Sequence, residues 1–114
     1  MHPGLTKIAI YDFTEIRITE FNKIIYCKAE GNYTSIHIQN KSILVSKVLK
    51  HYESILPSDT FLRIHRSYLI NISFITGLKK NKVILLNSDV AIPIARRRKS
   101  MILKELSKNY LLVR

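Results

Sequence analysis

Apolar residues along the 114-residue chain fall mostly into short alternating runs separated by small polar clusters, and they switch to helical spacing only twice. The runs KIAIY (Lys7 to Tyr11) and EIRI (Glu15 to Ile18) flank Asp12-Phe13 and predict two strands around a tight connection. IIYCKA, from Ile24 to Ala29, is closed by Gly31-Asn32; TSIHI, from Thr34 to Ile38, follows, and Asn40-Lys41 turns into SILV. That is the pattern of a hairpin or meander. Val48, Leu49, Tyr52, Ile55 and Leu56 then share one helical face until Pro57. They predict a helix of about ten residues with Ser46 as its N-cap.

Strand-like runs resume with FLRIH (61–65), YLINI (68–72), ITGL, KVILL (82–86) and VAIPIA (90–95). Their separators, Arg66-Ser67, Lys79-Lys80-Asn81 and Asn87-Ser88-Asp89, are short and polar, as antiparallel connections are. Pro93 cannot donate to a ladder and confines the last strand to an edge or an end. Ile102, Leu103, Leu106 and Tyr110 mark one face of a C-terminal helix that starts between Arg96 and Ser100. The expected fold is therefore mainly β, with nine or ten short strands and two helices. No linker or repeat interrupts the chain, so residues 1–114 are expected to form a single domain with its core at about 5–110.

Charge changes the picture more than composition does. Lys and Arg number 19 against 8 Asp and Glu, a formal net charge of +11. Residues 1–59 carry a net +1 and residues 60–114 a net +10, concentrated at Arg63 and Arg66, at Lys79, Lys80 and Lys82, and at Arg96-Arg97-Arg98-Lys99. Self-repulsion on this scale in so small a domain points to a polyanionic partner, nucleic acid ahead of an anionic membrane. The last run also falls at the positive end of the second predicted helix, where cations are disfavoured unless a phosphate lies nearby.

The chemistry of an enzyme is not written here. The carboxylates are scattered, without DxD, HExxH or a glycine-rich phosphate loop, and His2, His37, His51 and His65 fit no metal-ligand spacing. No catalytic residue, metal or cofactor is expected. Cys27, the single cysteine, lies in an apolar run and reads as a packing residue, and His65 as a strand residue hydrogen-bonding a nearby loop. One cysteine excludes an internal disulfide and fits a reduced, cytoplasmic setting. No apolar run approaches the roughly 18 residues of a spanning segment, and no export signal opens the chain, so a soluble protein is expected.

Phe61-Leu-Arg-Ile-His-Arg-Ser-Tyr-Leu-Ile-Asn-Ile-Ser-Phe-Ile75 resembles the F-x-R-x-H-R-S-x-x-V-N-x-x-x-I signature of the LytTR DNA-binding domain. Ile24 to Thr34 is similar to that family's I-x-Y-I-E-A-x-G-N-Y-T segment, and Val90 to Lys99 to its terminal L-P-V-S-R-R segment. Departures are few: Cys27-Lys28 replaces an apolar-acidic pair, Ala95 stands where Ser is common, and Asn87-Ser88-Asp89 lacks the usual Gly.

The resemblance implies an elongated, LytTR-like arrangement of small antiparallel sheets with one or two short helices, which docks loops into successive major grooves of double-stranded promoter DNA. It also implies tandem direct repeats as the target, a second copy on the DNA, and an output role in bacterial two-component transcription regulation. A receiver domain usually precedes such modules; 114 residues leave no room for one, so an excised effector domain and a naturally short protein both stay open. Carried onto this chain, the DNA-facing loops are Gly31-Asn32-Tyr33, His65-Arg66-Ser67 and Ala95 to Lys99. Arg66 and Arg96 are expected to read guanine, with Asn32 and Tyr33 as further base readers. Ser67, Arg97, Arg98 and Lys99 are expected to hold phosphates, with Lys47 a weaker candidate. Arg63 and Asn71 read as structural, and the Lys79 to Lys82 turn as a soluble hairpin tip ahead of a non-specific electrostatic aid. The alternative is a basic β module for single-stranded nucleic acid, with tyrosines stacking on bases; adhesion of the C-terminal helix to a membrane is set aside because its apolar face must cover a sheet.

Overall fold

The computed structural model describes residues 4–86 and 90–110. Within them the alternating runs become ten strands: β1 (Lys7–Tyr11), β2 (Ile16–Glu20), β3 (Ile24–Glu30), β4 (Tyr33–Ile38), β5 (Lys41–Val45), β6 (Phe61–His65), β7 (Tyr68–Asn71), β8 (Ile75–Lys79), β9 (Lys82–Leu85) and β10 (Ala91–Pro93). Two α-helices, α1 (Leu49–Ile55) and α2 (Lys99–Ser107), complete the set. All strand pairs are antiparallel, in sheets ordered β1-β2, β10-β9-β8 and β5-β4-β3-β7-β6. Pro93 lies on the edge strand β10, as its missing N–H requires. The molecule is elongated, 48 × 31 × 25 Å. The Asn87-Ser88-Asp89 connection lies outside the described residues.

The five-stranded sheet is the spine, and it separates two cores. Because side chains alternate across a strand, Cys27, Phe61 and Leu69 point to one core while Tyr26, Leu62 and Ile70 point to the other. The first core packs Leu49, Tyr52 and Leu56 of the α1 region, together with Ile10 of β1, over β3, β4 and β5. The second packs Val83, Leu85, Ile92, Ile102 and Leu106 from the three-stranded sheet and α2 over β3, β6 and β7. Two-sided burial explains why β3 and β7 read as near-continuous apolar runs, whereas β5 alternates. Cys27 is fully buried, and desolvation pushes its thiol up to about 12, which matches a packing role.

Three expectations are corrected. Helix α1 is shorter than expected and begins after Val48, not Ser46; no side chain caps it, and the Lys47 carbonyl is held instead by the Thr34 hydroxyl at 2.8 Å. Leu103 is exposed: α2 buries only Ile102 and Leu106, so its apolar stripe is narrower than the sequence spacing suggested. The VAIPIA run ends as a strand at Pro93, because the Ile94 and Ala95 amides donate to Asn81 (2.8 Å) and Ile64 (2.9 Å) outside any ladder.

Asn71 is fully buried and is structural, as expected. Its amide nitrogen donates to the Ile24 carbonyl at 2.9 Å, and its oxygen accepts from the Ser73 amide and hydroxyl, closing the 3-10 turn over Ile72–Phe74. Asn71→Ala orphans the Ile24 carbonyl and should lower the unfolding free energy by about 1–3 kcal/mol. The check is a urea midpoint that falls while the slope m stays constant.

Candidate nucleic-acid interface

Three connections meet at one end of the spine. The first joins β3 to β4 through Gly31-Asn32, with Glu30 opposite Tyr33. Gly31 sits at φ +62°, a conformation glycine takes without steric cost, and this keeps the turn tight. The second joins β6 to β7 through Arg66-Ser67. The third runs from Ala95 through a 3-10 turn, Arg96–Arg98, into α2. The Ala29 amide donates to the Ser67 carbonyl at 2.9 Å, tying the first connection to the second. The register skips Ile64 between the Arg63–Leu69 and His65–Tyr68 pairs. That bulge frees the Ile64 carbonyl for the Ala95 amide, tying the second connection to the third.

Arg63 is the clamp of the middle connection. Its Nε donates to the His65 carbonyl at 2.9 Å, one terminal nitrogen to the Arg66 carbonyl, and the other to Glu53 Oε1 of α1 at 2.7 Å. The Ser67 amide donates to His65 Nδ1 at 3.1 Å, so His65 organises its own loop, as the sequence suggested. With its backbone fixed in this way, Arg66 projects an exposed guanidinium.

Asn32, Tyr33, Arg66, Arg96, Arg97 and Lys99 are all exposed at this end; Ser67 and Arg98 are half-buried. Arg98 donates from Nη1 to the Arg63 carbonyl at 3.2 Å, so part of its guanidinium braces β6. Lys99 Nζ donates to Asn81 Oδ1 at 3.1 Å. Within the basic segment the Arg98 and Lys99 amides are engaged, donating to the Ala95 and Arg96 carbonyls. Lys47 is exposed beside the first connection, through the Thr34 hydroxyl that holds its carbonyl.

Among the described residues, carboxylate pairs engage Arg17, Arg63 and Lys108, whereas none engages Arg66, Arg96, Arg97, Arg98 or Lys99. Glu30, the acid nearest the first connection, accepts from the Ser35 hydroxyl at 3.1 Å. No three His, Cys, Asp or Glu side chains gather as a metal set, and no helix is long and apolar enough to cross a membrane, among the described residues.

Rings of His37, Tyr26, Tyr68 and His65 form a row across β4, β3, β7 and β6. Tyr26, its centre, is only 7% exposed and lies under the stacked His37 ring at 4.1 Å, which leaves it no open face for a base. Tyr33 is the exposed aromatic of the three connections, at 44%, and the sequence reading missed its neighbour Phe13, whose ring meets it edge-on at 6.1 Å. Phe13 sits at φ +80° on the β1–β2 connection, fixed by Asp12 Oδ1, which accepts from the Thr14 and Glu15 amides. The sequence signal was present in Asp12-Phe13-Thr14, an Asx-type turn, but the turn alone does not say what it faces. The Arg63 clamp had no local signal, because Glu53 belongs to a different element.

The family model described as the LytTr DNA-binding domain matches residues 14–107. The chain is 31% identical over 78 residues to the sensory transduction protein LytT of Bacillus subtilis, covering 68% of this chain and 32% of that protein. It is 29% identical over 107 residues to the heme-containing CO-sensing transcriptional regulator RcoM 2 of Paraburkholderia xenovorans, covering 90% of this chain and 40% of that protein. The chain thus spans well under half the length of these relatives. A solved LytTr DNA-binding domain from a putative methyl-accepting/DNA response regulator of Bacillus cereus shares the fold, with a TM-score of 0.76 at 21% identity over 90% of this chain and 98% of that one.

The Asp12 turn gives a pH prediction. The Arg17 guanidinium, with help from the Glu15 and Thr14 donors, lowers the Asp12 carboxyl to about 2, below its ordinary 3.8. A depressed folded-state value stabilises the hairpin above the unfolded value, and the contribution is lost as pH falls toward 2. Exchange of the Thr14 and Glu15 amides should therefore gain protection steadily from pH 2 to 4, relative to intrinsic rates, in wild type and not in Asp12→Asn.

Proposed function

Because the chain belongs to the LytTr DNA-binding domain family, we propose that it binds double-stranded DNA with sequence preference and serves in bacterial transcription regulation. The observation that carries this reading is the hydrogen-bonded convergence of three connections whose cations lack carboxylate partners among the described residues. A surface of this kind can enter grooves with loops, because the spine behind it is rigid and two-sided.

Arg66 and Arg96 are assigned to the major groove, where a guanidinium bridges O6 and N7 of guanine. Asn32, whose amide can pair with adenine N6 and N7, and Tyr33 read the adjacent position. Ser67, Arg97 and Lys99 hold phosphates and set register, as does the part of Arg98 that is not committed to Arg63. Residues 1–114 act as one domain on tandem direct repeats, with a second copy on the neighbouring repeat. In a longer parent protein an upstream receiver would control it, in the cytoplasm. No step of this reading needs catalysis or a cofactor.

The test is selection from a pool of random duplexes at about 0.15 M salt, where long-range surface charge is screened. A short motif repeated at about one-turn spacing should be enriched. On the selected site, neutralising about five to eight phosphates gives a log–log salt slope of roughly −4.5 to −7. Arg66→Ala should cost about 1–3 kcal/mol and relax preference at one position, while Arg97→Ala should weaken all sequences evenly and reduce the slope by about 1. A bound pool without any enriched motif contradicts the reading.

A further inference from the structure

Strands β8 and β9 turn through Lys80 and Asn81, and Lys79 stands directly opposite Lys82. Like charges facing each other across an antiparallel pair destabilise it, yet all three lysines are exposed and none has a carboxylate partner among the described residues. On sequence alone a soluble hairpin tip is favoured over a non-specific electrostatic aid. Its placement argues otherwise. The Asn81 carbonyl accepts from the Ile94 amide at 2.8 Å, and Asn81 Oδ1 accepts from Lys99 Nζ at 3.1 Å. Both ends of Asn81 are thus engaged by the segment that carries Arg96, Arg97 and Lys99, and the lysine tip is held against the basic connection rather than projecting alone.

We propose that the Lys79-Lys80-Lys82 hairpin is a fourth nucleic-acid contact, which grips the phosphate backbone of duplex DNA beside the footprint of the Ala95–Lys99 segment. The inference rests on the DNA-binding reading above and extends it. Lysine suits such a contact, because its ammonium is a mobile point charge that follows phosphates without demanding bidentate geometry. The contact carries affinity and no sequence information, since phosphates are the same at every base pair. The unfavourable Lys79–Lys82 pairing is relieved when DNA is bound, which makes the hairpin slightly unstable when free and complete only on its ligand.

The experiment compares two triple variants on the selected duplex and on random duplex across a salt series. One is K79Q/K80Q/K82Q. The other, K23Q/K41Q/K104Q, removes the same net charge elsewhere: Lys23 and Lys41 lie at the end of the spine opposite Gly31-Asn32, and Lys104 lies in the last turn of α2. The hairpin triple should flatten the log–log slope by about 2 to 3, at about 0.9 per phosphate, and leave the ratio of specific to random affinity unchanged. The control triple should leave the slope within a few tenths of wild type. A second variant, K79Q/K82Q, keeps the turn residue and should melt at or above the wild-type temperature while still losing slope, which separates lost contact from lost folding. An unchanged slope in the hairpin variants, or equal flattening by the control, overturns the inference while leaving DNA binding intact. A wild-type domain that binds duplex without a steep slope overturns the parent reading, and this inference with it.

Discussion

Pairing of β7 against β3, with Ile70 opposite Tyr26 and Tyr68 opposite Lys28, is the contact through which two separate β units become one spine. Strands β3 to β5 form a local meander, and β6 and β7 form a local hairpin 16 residues beyond β5. Each unit alone has a hydrophobic face and an open edge, a marginal arrangement in water. Joined, they bury β3 and β7 on both faces and set the end of the meander beside the end of the hairpin. The Ala29–Ser67 bond is then an extension of that register, and the Ile64 bulge presents the next carbonyl to Ala95. The candidate interface is a consequence of register rather than of any one loop.

A second constraint is electrostatic. In this chain of formal charge +11, four acids form ion pairs among the described residues. Asp12 and Glu15 hold Arg17 on the β1–β2 connection, Glu53 holds the clamp residue Arg63, and Glu105 holds Lys108 at the far end of α2. The cations at the converging connections have no carboxylate partner among the described residues. Arg63 sits at the border between these roles. It is itself basic and lies next to the β6–β7 connection, but it is spent on two backbone carbonyls and a carboxylate, so the unpaired charge there belongs to Arg66.

Most of the fold was legible in the sequence because period-two alternation survives wherever one face of a strand is buried, as in β5 and β9. It was legible too where Pro93 limited pairing and where Gly31 permitted a tight turn. What failed was local capping: Ser46 has the right chemistry for an N-cap, but the Thr34–Lys47 bond fixes the chain differently and delays α1 to Leu49. Leu103 failed for a related reason, since the width of a buried helical stripe depends on how closely the sheet beneath approaches. The three connections were each visible as polar turns. Their meeting was not, because it depends on pairings between residues about 40 apart, such as Cys27 with Leu69. The Phe13–Tyr33 contact and the role of Asn81 were hidden for the same reason.

The central claim is that these connections act as one surface, and amide chemical-shift mapping of the labelled domain, titrated with its selected duplex, tests it most directly. The account predicts that Gly31 to Tyr33, Arg66 and Ser67, and Ala95 to Lys99 shift together along a single binding curve, while α1 and the outer face of β1–β2 stay still. Shifts confined to one connection, or centred on α1 or the β1–β2 face, would contradict it.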